Sequence, residues 1–354
     1  MLVPELLPPR GNDYGYVPSW TPPPPPHQPR WLLALTLFVL TFLCTTTLGP
    51  VFWAMTRTDV LTPHEPFLTP MLAMAVWSDP ELLRLGLSFS VPAMLILLAH
   101  ELGHYVACRR YRLPATLPYF IPLPTMLGTL GAFIRIRAPL RDRRELFDVG
   151  VAGPIAGFVM LIPFLLYGVA RSEPAALQLR PGEVLFLPGQ CLAIDLAARV
   201  FHGPLADGMV LDLHPYALAA WFGLLATSIN LIPLGQLDGG HILYAVSRKW
   251  QRRLAPLVWL GLAAAGFLWP GWWVWCVLSL VFGVFHPRVQ SEAAPLGPGR
   301  KLLAALAFAI LILSFMPRGL AQVGAFGEPE TGGEWVQKST TNVTGPSLTS
   351  DTSM

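Results

Sequence analysis

His100-Glu101-Leu102-Gly103-His104 places two imidazoles and a carboxylate within five positions. On an α-helix, side chains at i and i+4 project from one face, so His100 and His104 can share one metal ion while Glu101 lies beside the coordination position left open. The chemistry this pattern suggests is hydrolysis, with water activated by a metal and deprotonated by a neighbouring carboxylate. The motif lies at the end of an apolar run from about Leu83 to Ala107 that is long enough to cross a bilayer. His and Glu are costly at that depth, so a chance match there is less frequent than in a soluble helix.

Two His do not complete a catalytic zinc site, which has three protein ligands and one open position. A second polar group at comparable depth is Asp238, within Asn230-Leu231-Ile232-Pro233-Leu234-Gly235-Gln236-Leu237-Asp238-Gly239-Gly240-His241. An unpaired Asp at the bilayer centre costs about 2.5–3.5 kcal/mol on insertion scales, which makes it a candidate for function, and metal coordination would remove the cost. Asp238 also reads as a helix N-cap ahead of Gly239, and the two roles are compatible. Pro233, Gly235, Gly239 and Gly240 interrupt the helix, and non-helical backbone at this depth is tolerated around a buried or watery cavity.

The elements that must position these groups are apolar helices. Of 354 residues, 53% are hydrophobic and 13% charged, and the mean hydropathy is +0.51, whereas soluble domains carry about 25% charged residues. The fold expected is an α-helical polytopic membrane protein with about six to seven transmembrane helices. Apolar spans run over Trp31 to Met55, Leu83 to Ala107, Phe147 to Ala170, Pro215 to Pro233, Leu254 to Trp269, Gly271 to Phe285 and Lys301 to Met316. The fifth and sixth are short and meet at Trp269-Pro270-Gly271, which predicts a helical hairpin. The first span lacks a small-x-small cleavage site and reads as an uncleaved anchor.

Basic residues set the orientation. Arg109, Arg110, Arg112, Arg135, Arg137, Arg141, Arg143 and Arg144 follow the second span, and Arg248, Lys249, Arg252 and Arg253 follow the fourth. Both connections are therefore expected on the cytoplasmic side, with the His pair near the cytoplasmic end of its helix. The net charge of +3 is accounted for by this topology and does not call for nucleic acid. Residues 1–30, with a run of Pro, and 317–354, rich in Ser, Thr and Gly, are expected to be disordered flanks of a membrane-embedded domain over 31–316, whose core is 83–246. Asn342-Val343-Thr344 matches a glycosylation sequon by pattern alone.

The H-E-x-x-H helix, followed by N-x-x-P-x-x-x-L-D-G-G at the end of a later one, resembles the site-2 protease family of intramembrane zinc metalloproteases, peptidase family M50. The resemblance covers roughly Ser88 to Val246. Leu127 to Ile134 and Ala152 to Phe158 are similar to a compact subgroup that includes the EGY-type chloroplast proteases and bacterial relatives. It implies one zinc ion held by His100, His104 and Asp238, with Glu101 as general base and Asn230 helping to hold the substrate backbone. The implied activity is peptide-bond hydrolysis in or near transmembrane segments of other proteins, with lipid as the surroundings. A bacterial plasma membrane is the expected location, and a plastid membrane is compatible. The connection from Arg171 to His214 is too short for a PDZ domain of about 80–100 residues.

The apolar segment Leu113 to Ile136 carries Pro114, Pro118, Pro122 and Pro124 and cannot be a regular spanning helix. It is expected to form a re-entrant element or β-hairpin near the active site. Gly128 to Ile136 would be an exposed edge, with Gly128, Thr129 and Gly131 meeting an extended substrate. A membrane-surface loop without that role is the alternative.

The remaining signals have plainer readings. Asn230 also suits a cap for the carbonyls freed by Pro233. His241 reads as a packing or supporting residue beside the ligands, and His64, His202, His214 and His286 as surface residues. Asp148 reads as a helix N-cap, Gly150, Gly153 and Gly157 as a close-packing face, and Trp272, Trp273 and Trp275 as an interfacial anchor. Cys44, Cys108, Cys191 and Cys276 have no C-x-x-C spacing and predict neither a disulfide framework nor a thiolate metal site. The rival to the protease is a membrane metal transporter or metal-binding non-enzyme built on the same His/Asp cluster. A transporter should have a second polar route in the outer halves of the spans, and the sequence has no such run.

Overall fold

The protein is described by a computed structural model over residues 30–57, 69–124, 126–177, 185–206, 208–293 and 295–323. In chain order, α1 (Trp31–Met55), α2 (Pro70–Ser78) and α3 (Pro80–Arg110) precede strands β1 (Tyr119–Pro122) and β2 (Thr129–Phe133). After them come α4 (Arg143–Ala170), β3 (Glu173–Ala176), β4 (Leu185–Pro188), α5 (Leu192–His202), β5 (Met209–Asp212), α6 (Pro215–Leu231) and α7 (Asp238–Val246). The chain continues through α8 (Arg248–Ala265), α9 (Gly271–Phe282), α10 (Pro298–Ser314) and β6 (Leu320–Val323).

Local chemistry explains where the long helices begin. Asp79 accepts hydrogen bonds from the Glu81 and Leu82 amides at the start of α3, with Pro80 at the first helical position where its missing N–H costs nothing. Asp142 does the same for α4 through the Arg144 and Glu145 amides. Arg109 and Arg110 in the last turn of α3 oppose the negative end of its dipole. By length and apolar composition, α1, α3 and α4 can each cross a membrane, at 25, 31 and 28 residues. Helix α6 is apolar but has 17 residues, about 25 Å of helix against a hydrocarbon core of about 30 Å.

Close backbone approach joins the long helices. A Cβ on Gly86 would strike the Thr46 carbonyl of α1, and one on Gly103 would strike the Ala152 carbonyl of α4. Thr46 and Ser90 hydroxyls share a 2.7 Å hydrogen bond across the α1–α3 seam. Small residues and a paired hydroxyl are what helix association in lipid favours. The buried side chains Phe52, Phe89, Leu161, Leu218, Trp221 and Trp272 fill one large core. Leu146, Phe147, Ile242 and Tyr244 form a second around α4 and α7.

Contacts sort the helix termini into two ends. At one end, Arg143 bonds the Ala245 and Val246 carbonyls, Arg144 bonds Pro295, and Arg300 grips Asp148. Tyr111, the C-cap of α3, joins that Arg300–Asp148 pair through its hydroxyl, so the end of α3, the starts of α4 and α10, and α7 lie together. At the other end, Trp53 bonds Leu213, Trp272 bonds Pro317, β3 pairs with β5 and β4 with β6. The α8–α9 pair does form a hairpin, with Trp259 Nε1 donating to the Cys276 carbonyl at 3.2 Å.

Several sequence expectations change. Asp148 is not the N-cap of the third long helix; that role falls to Asp142 one and a half turns earlier, and Asp148 is ion-paired to Arg300 and bonded to the Tyr111 hydroxyl. Asp238 is the first residue of α7, whose N-cap is Leu237, and its carboxylate faces the His100 and His104 rings. His286 is buried and bonded to His241, not on the surface. His202 is bonded to the Val169 carbonyl, and His214 caps α6 through the Tyr216 amide. The flank expected to be disordered from 317 onward is ordered at its start, because β6 pairs in register with β4 and Gly189 donates to the Gly319 carbonyl. Residues 1–29 and 324–354, His64 and the sequon at Asn342 lie outside the described residues.

Candidate metal centre

Helix α3 presents His100 and His104 inward, one turn apart. Both are buried, at 6% and 7% exposure. His104 Nδ1 donates to the Val149 carbonyl of α4 at 2.7 Å, which fixes the tautomer and leaves Nε2 with a lone pair. Helix α4 also clears room for both rings. A Cβ at Gly153 would overlap the His104 imidazole, and one at Gly157 would crowd His100 Nδ1 at 3.3 Å. A backbone carbonyl and two missing side chains therefore set where the imidazoles stand.

Asp238 arrives from the opposite side because α6 stops at Leu231. Pro233 forbids its continuation, and Gly235, with φ +52, turns the chain while its N–H donates to the Val284 carbonyl at 2.9 Å. The chain then re-enters a helix at Asp238, so the carboxylate falls on the first turn of α7. Asp238 Oδ2 lies 3.3 Å from His100 Nε2 and 3.3 Å from His104 Nε2, and the two Nε2 atoms are 3.1 Å apart.

These three donors fit a metal ion. Ligands at 2.0–2.1 Å around a tetrahedral ion stand about 3.3–3.4 Å from one another. The observed triangle has nearly those edges, with its lone pairs converging and one apex left for a fourth ligand. Without a cation, two lone-pair nitrogens and a carboxylate at this spacing in a buried place would be costly. Among the described residues, His100, His104 and Asp238 are the one cluster of this kind.

Glu101 is buried beside the triangle, on the helix that also packs against β2. The candidate general base therefore stands on the element that carries two of the three donors and touches β2. Strands β1 and β2 are antiparallel, with Tyr119 opposite Phe133, Phe120 opposite Ala132 and Pro122 opposite Thr129. Among the described residues the sheet has only these strands, so β2 has one edge without a strand partner. Gly131, at φ +101, meets nothing within 4 Å where a Cβ would stand. Gly128 and Thr129 are engaged internally. A Cβ at Gly128 would strike the Thr45 backbone of α1. The Thr129 hydroxyl donates to the Ile121 carbonyl at 3.0 Å and accepts from the Gly131 amide at 2.9 Å.

Asn230 stands on the last turn of α6 with its amide nitrogen 3.4 Å from His100 Nε2. His241, on α7, packs its Cβ against Gly150 and its Nδ1 lies 2.8 Å from His286 Nε2. His286 Nδ1 is 2.5 Å from the Pro287 carbonyl, so Nδ1 carries the proton and His241 is the donor between the rings. Burial holds the His286 imidazole below its ordinary value, which keeps it neutral.

The sequence contains no sign of the Val149 carbonyl, since backbone groups have no residue signature. Gly153 and Gly157 were visible as small residues, and their task of accommodating imidazoles was not. His286 lies far from every motif and could have been found only through the pairing of its segment with Gly235.

A helical metal-donor triangle with an adjacent carboxylate and an open strand edge defines a metallopeptidase-like site in a helical membrane fold. The peptidase family M50 profile matches residues 88–264, which contain all four of these side chains, and the chain belongs to that family. It is 32% identical over 252 residues to "Probable zinc metalloprotease EGY2, chloroplastic" of Oryza sativa subsp. indica, covering 69% of this chain and 45% of that protein. It is 31% identical over 225 residues to the Arabidopsis thaliana protein of the same name, covering 63% and 40%. To "Probable zinc metalloprotease EGY1, chloroplastic" of Arabidopsis thaliana it is 30% identical over 236 residues, covering 63% and 41%. The chain thus spans less than half the length of these curated relatives.

Proposed function

We propose that this chain is an intramembrane zinc metalloprotease that hydrolyses peptide bonds in or near transmembrane segments of other membrane proteins. The observation that carries the reading is the near-equilateral triangle of His100, His104 and Asp238 donors, with Glu101 buried beside it on α3. Bound zinc would polarise the scissile carbonyl and make water acidic enough to attack near neutral pH. Glu101 accepts the proton of the attacking water and returns it to the leaving amine. His104 keeps its Nε2 lone pair through the Val149 contact. The free edge of β2 from Gly131 to Phe133 aligns an unwound substrate segment by main-chain pairing, while Gly128 and Thr129 shape the turn behind it. Asn230, with its amide nitrogen 3.4 Å from His100 Nε2, holds the substrate backbone.

The membrane domain extends over 31–316, with α6, the α8–α9 hairpin and α10 completing about six to seven membrane segments around α1, α3 and α4. The basic connection after α3 and the basic first turns of α8, with Arg248, Lys249, Arg252 and Arg253, face the cytoplasm, or the equivalent side of a plastid membrane. That puts the site toward that side of a multi-pass protein. The test is Glu101→Gln in the full chain, assayed on a single-span reporter in liposomes. Zinc content is expected to stay at the wild-type level while cleavage falls by about 10²–10⁴-fold. Turnover at the wild-type rate would refute the mechanism.

A further inference from the structure

Helix α7 is a nine-residue helix, shorter than the ~12–15 residues at which an isolated helix becomes even marginal. It nevertheless has to hold the Asp238 carboxylate to within a few tenths of an ångström. Its N-cap, Leu237, offers no side-chain hydrogen bond, and its own last turn carries no basic residue. The final carbonyls of such a helix need donors from elsewhere.

Those donors come from α4. Arg143 Nε lies 2.8 Å from the Ala245 carbonyl, and Nη2 lies 2.5 Å from Ala245 O and 2.7 Å from Val246 O. The planar guanidinium can bridge both carbonyls at once and puts a fixed positive charge at the negative end of the α7 dipole. Arg143 is the first residue of α4, the helix whose Val149 carbonyl orients His104 and whose Gly153 and Gly157 accommodate the imidazoles. The Gly150 contact with His241 is a second seam between α4 and α7. Helix α4 is thus the common reference for all three donors, and Arg143 is its polar attachment to the helix bearing the third.

We infer that Arg143 is a positioning residue for the metal centre: by capping the C-terminus of α7 from α4, it sets the register of Asp238 against His100 and His104. Arg143 itself lies at the far end of α7 from Asp238 and touches neither metal nor substrate. The inference rests on the zinc-site reading above.

The experiment compares full-length Arg143→Met, Arg143→Lys and Asp238→Asn with wild type in detergent, measuring zinc affinity by competition with a chromophoric chelator and the thermal unfolding midpoint of each apoprotein. Arg143→Met is expected to bind zinc about 10–100-fold more weakly, the range for losing a partner that orients a ligand. Arg143→Lys keeps the charge but lacks the fork, and is expected to fall between Met and wild type. Both should unfold near the wild-type temperature, and kcat on the reporter should fall at zinc levels below saturation and recover as zinc is raised, with KM little changed. If Arg143→Met does not fold, weakened zinc binding by a normally melting Arg143→Lys supports the inference, and unchanged binding by it overturns the inference. Wild-type zinc affinity in a folded Arg143→Met protein overturns it likewise, provided Asp238→Asn loses zinc. If Asp238→Asn binds zinc as wild type does, the ligand set itself is wrong and the inference falls with it.

Discussion

At the scale of single residues, the site depends as much on atoms that are missing as on those present. At Gly153 any side chain would enter the space of the His104 ring. Gly153→Ala should displace that imidazole and lower zinc affinity by at least about 10-fold, as disruption of groups orienting a ligand does. Gly261→Ala is the control, because a Cβ there meets nothing within 4 Å. Zinc titration of both variants checks this, and equal affinities would contradict the packing described. The same scale shows what the H-E-x-x-H spelling conveys. It put His100, Glu101 and His104 on one helical face, and their chemistry followed from residue type. It could not say which ring nitrogen faces the metal, since that is decided by Val149, 45 residues away.

At the scale of elements, the broken α6–α7 passage brings Asp238 to the His pair, and the antiparallel β1–β2 pair lies against α3. Four Pro residues in Leu113 to Ile136 ruled out a spanning helix, and an antiparallel pair is what the chain forms there. Thr129 is the internal fastening of that pair, buried at 1% exposure with its hydroxyl shared between Ile121 and Gly131. Thr129→Val keeps the shape but leaves those two backbone groups without the partner they had. The expected cost is about 1–3 kcal/mol, with reporter cleavage reduced more than zinc binding. Parallel measurement of cleavage and zinc content tests this, and a larger loss of zinc than of cleavage would put the hairpin in the support of the metal and not of the substrate. Helix boundaries were legible to within a few residues where Asp, Pro and Gly punctuate the chain. The apolar run begins only at Phe147 because Arg143, Arg144 and Glu145 look like a polar connection, and only their cap at Asp142 makes them helix.

At the scale of the whole molecule, contacts divide the termini between two ends, with the Arg143, Arg144 and Arg300 contacts at one and the β3–β5 and β4–β6 pairs at the other. The basic connections predict that the first end faces the cytoplasm. Exposed Arg137, beyond β2, and exposed Glu173, on β3, should therefore lie on opposite sides of the membrane. Single Arg137→Cys and Glu173→Cys variants in a background lacking Cys44, Cys108, Cys191 and Cys276, treated with an impermeant maleimide in oriented vesicles, are expected to label from opposite sides. Labelling of both from one side would reject the orientation. The sequence alone determined the class of the molecule and its donor types, because apolar run length and the cost of polar groups in lipid are properties of composition and order. Which distant groups meet was decided by the tertiary structure. Asp238 reaches the His pair because α6 breaks at Pro233 and Gly235, and α7 is held to α4 at Arg143. The chain from 317 rejoins the fold because β6 finds β4. Each of these is a pairing across more than a hundred residues, and on one side of each stands a backbone group or a fit of shape, which leaves no mark in the identity of a residue.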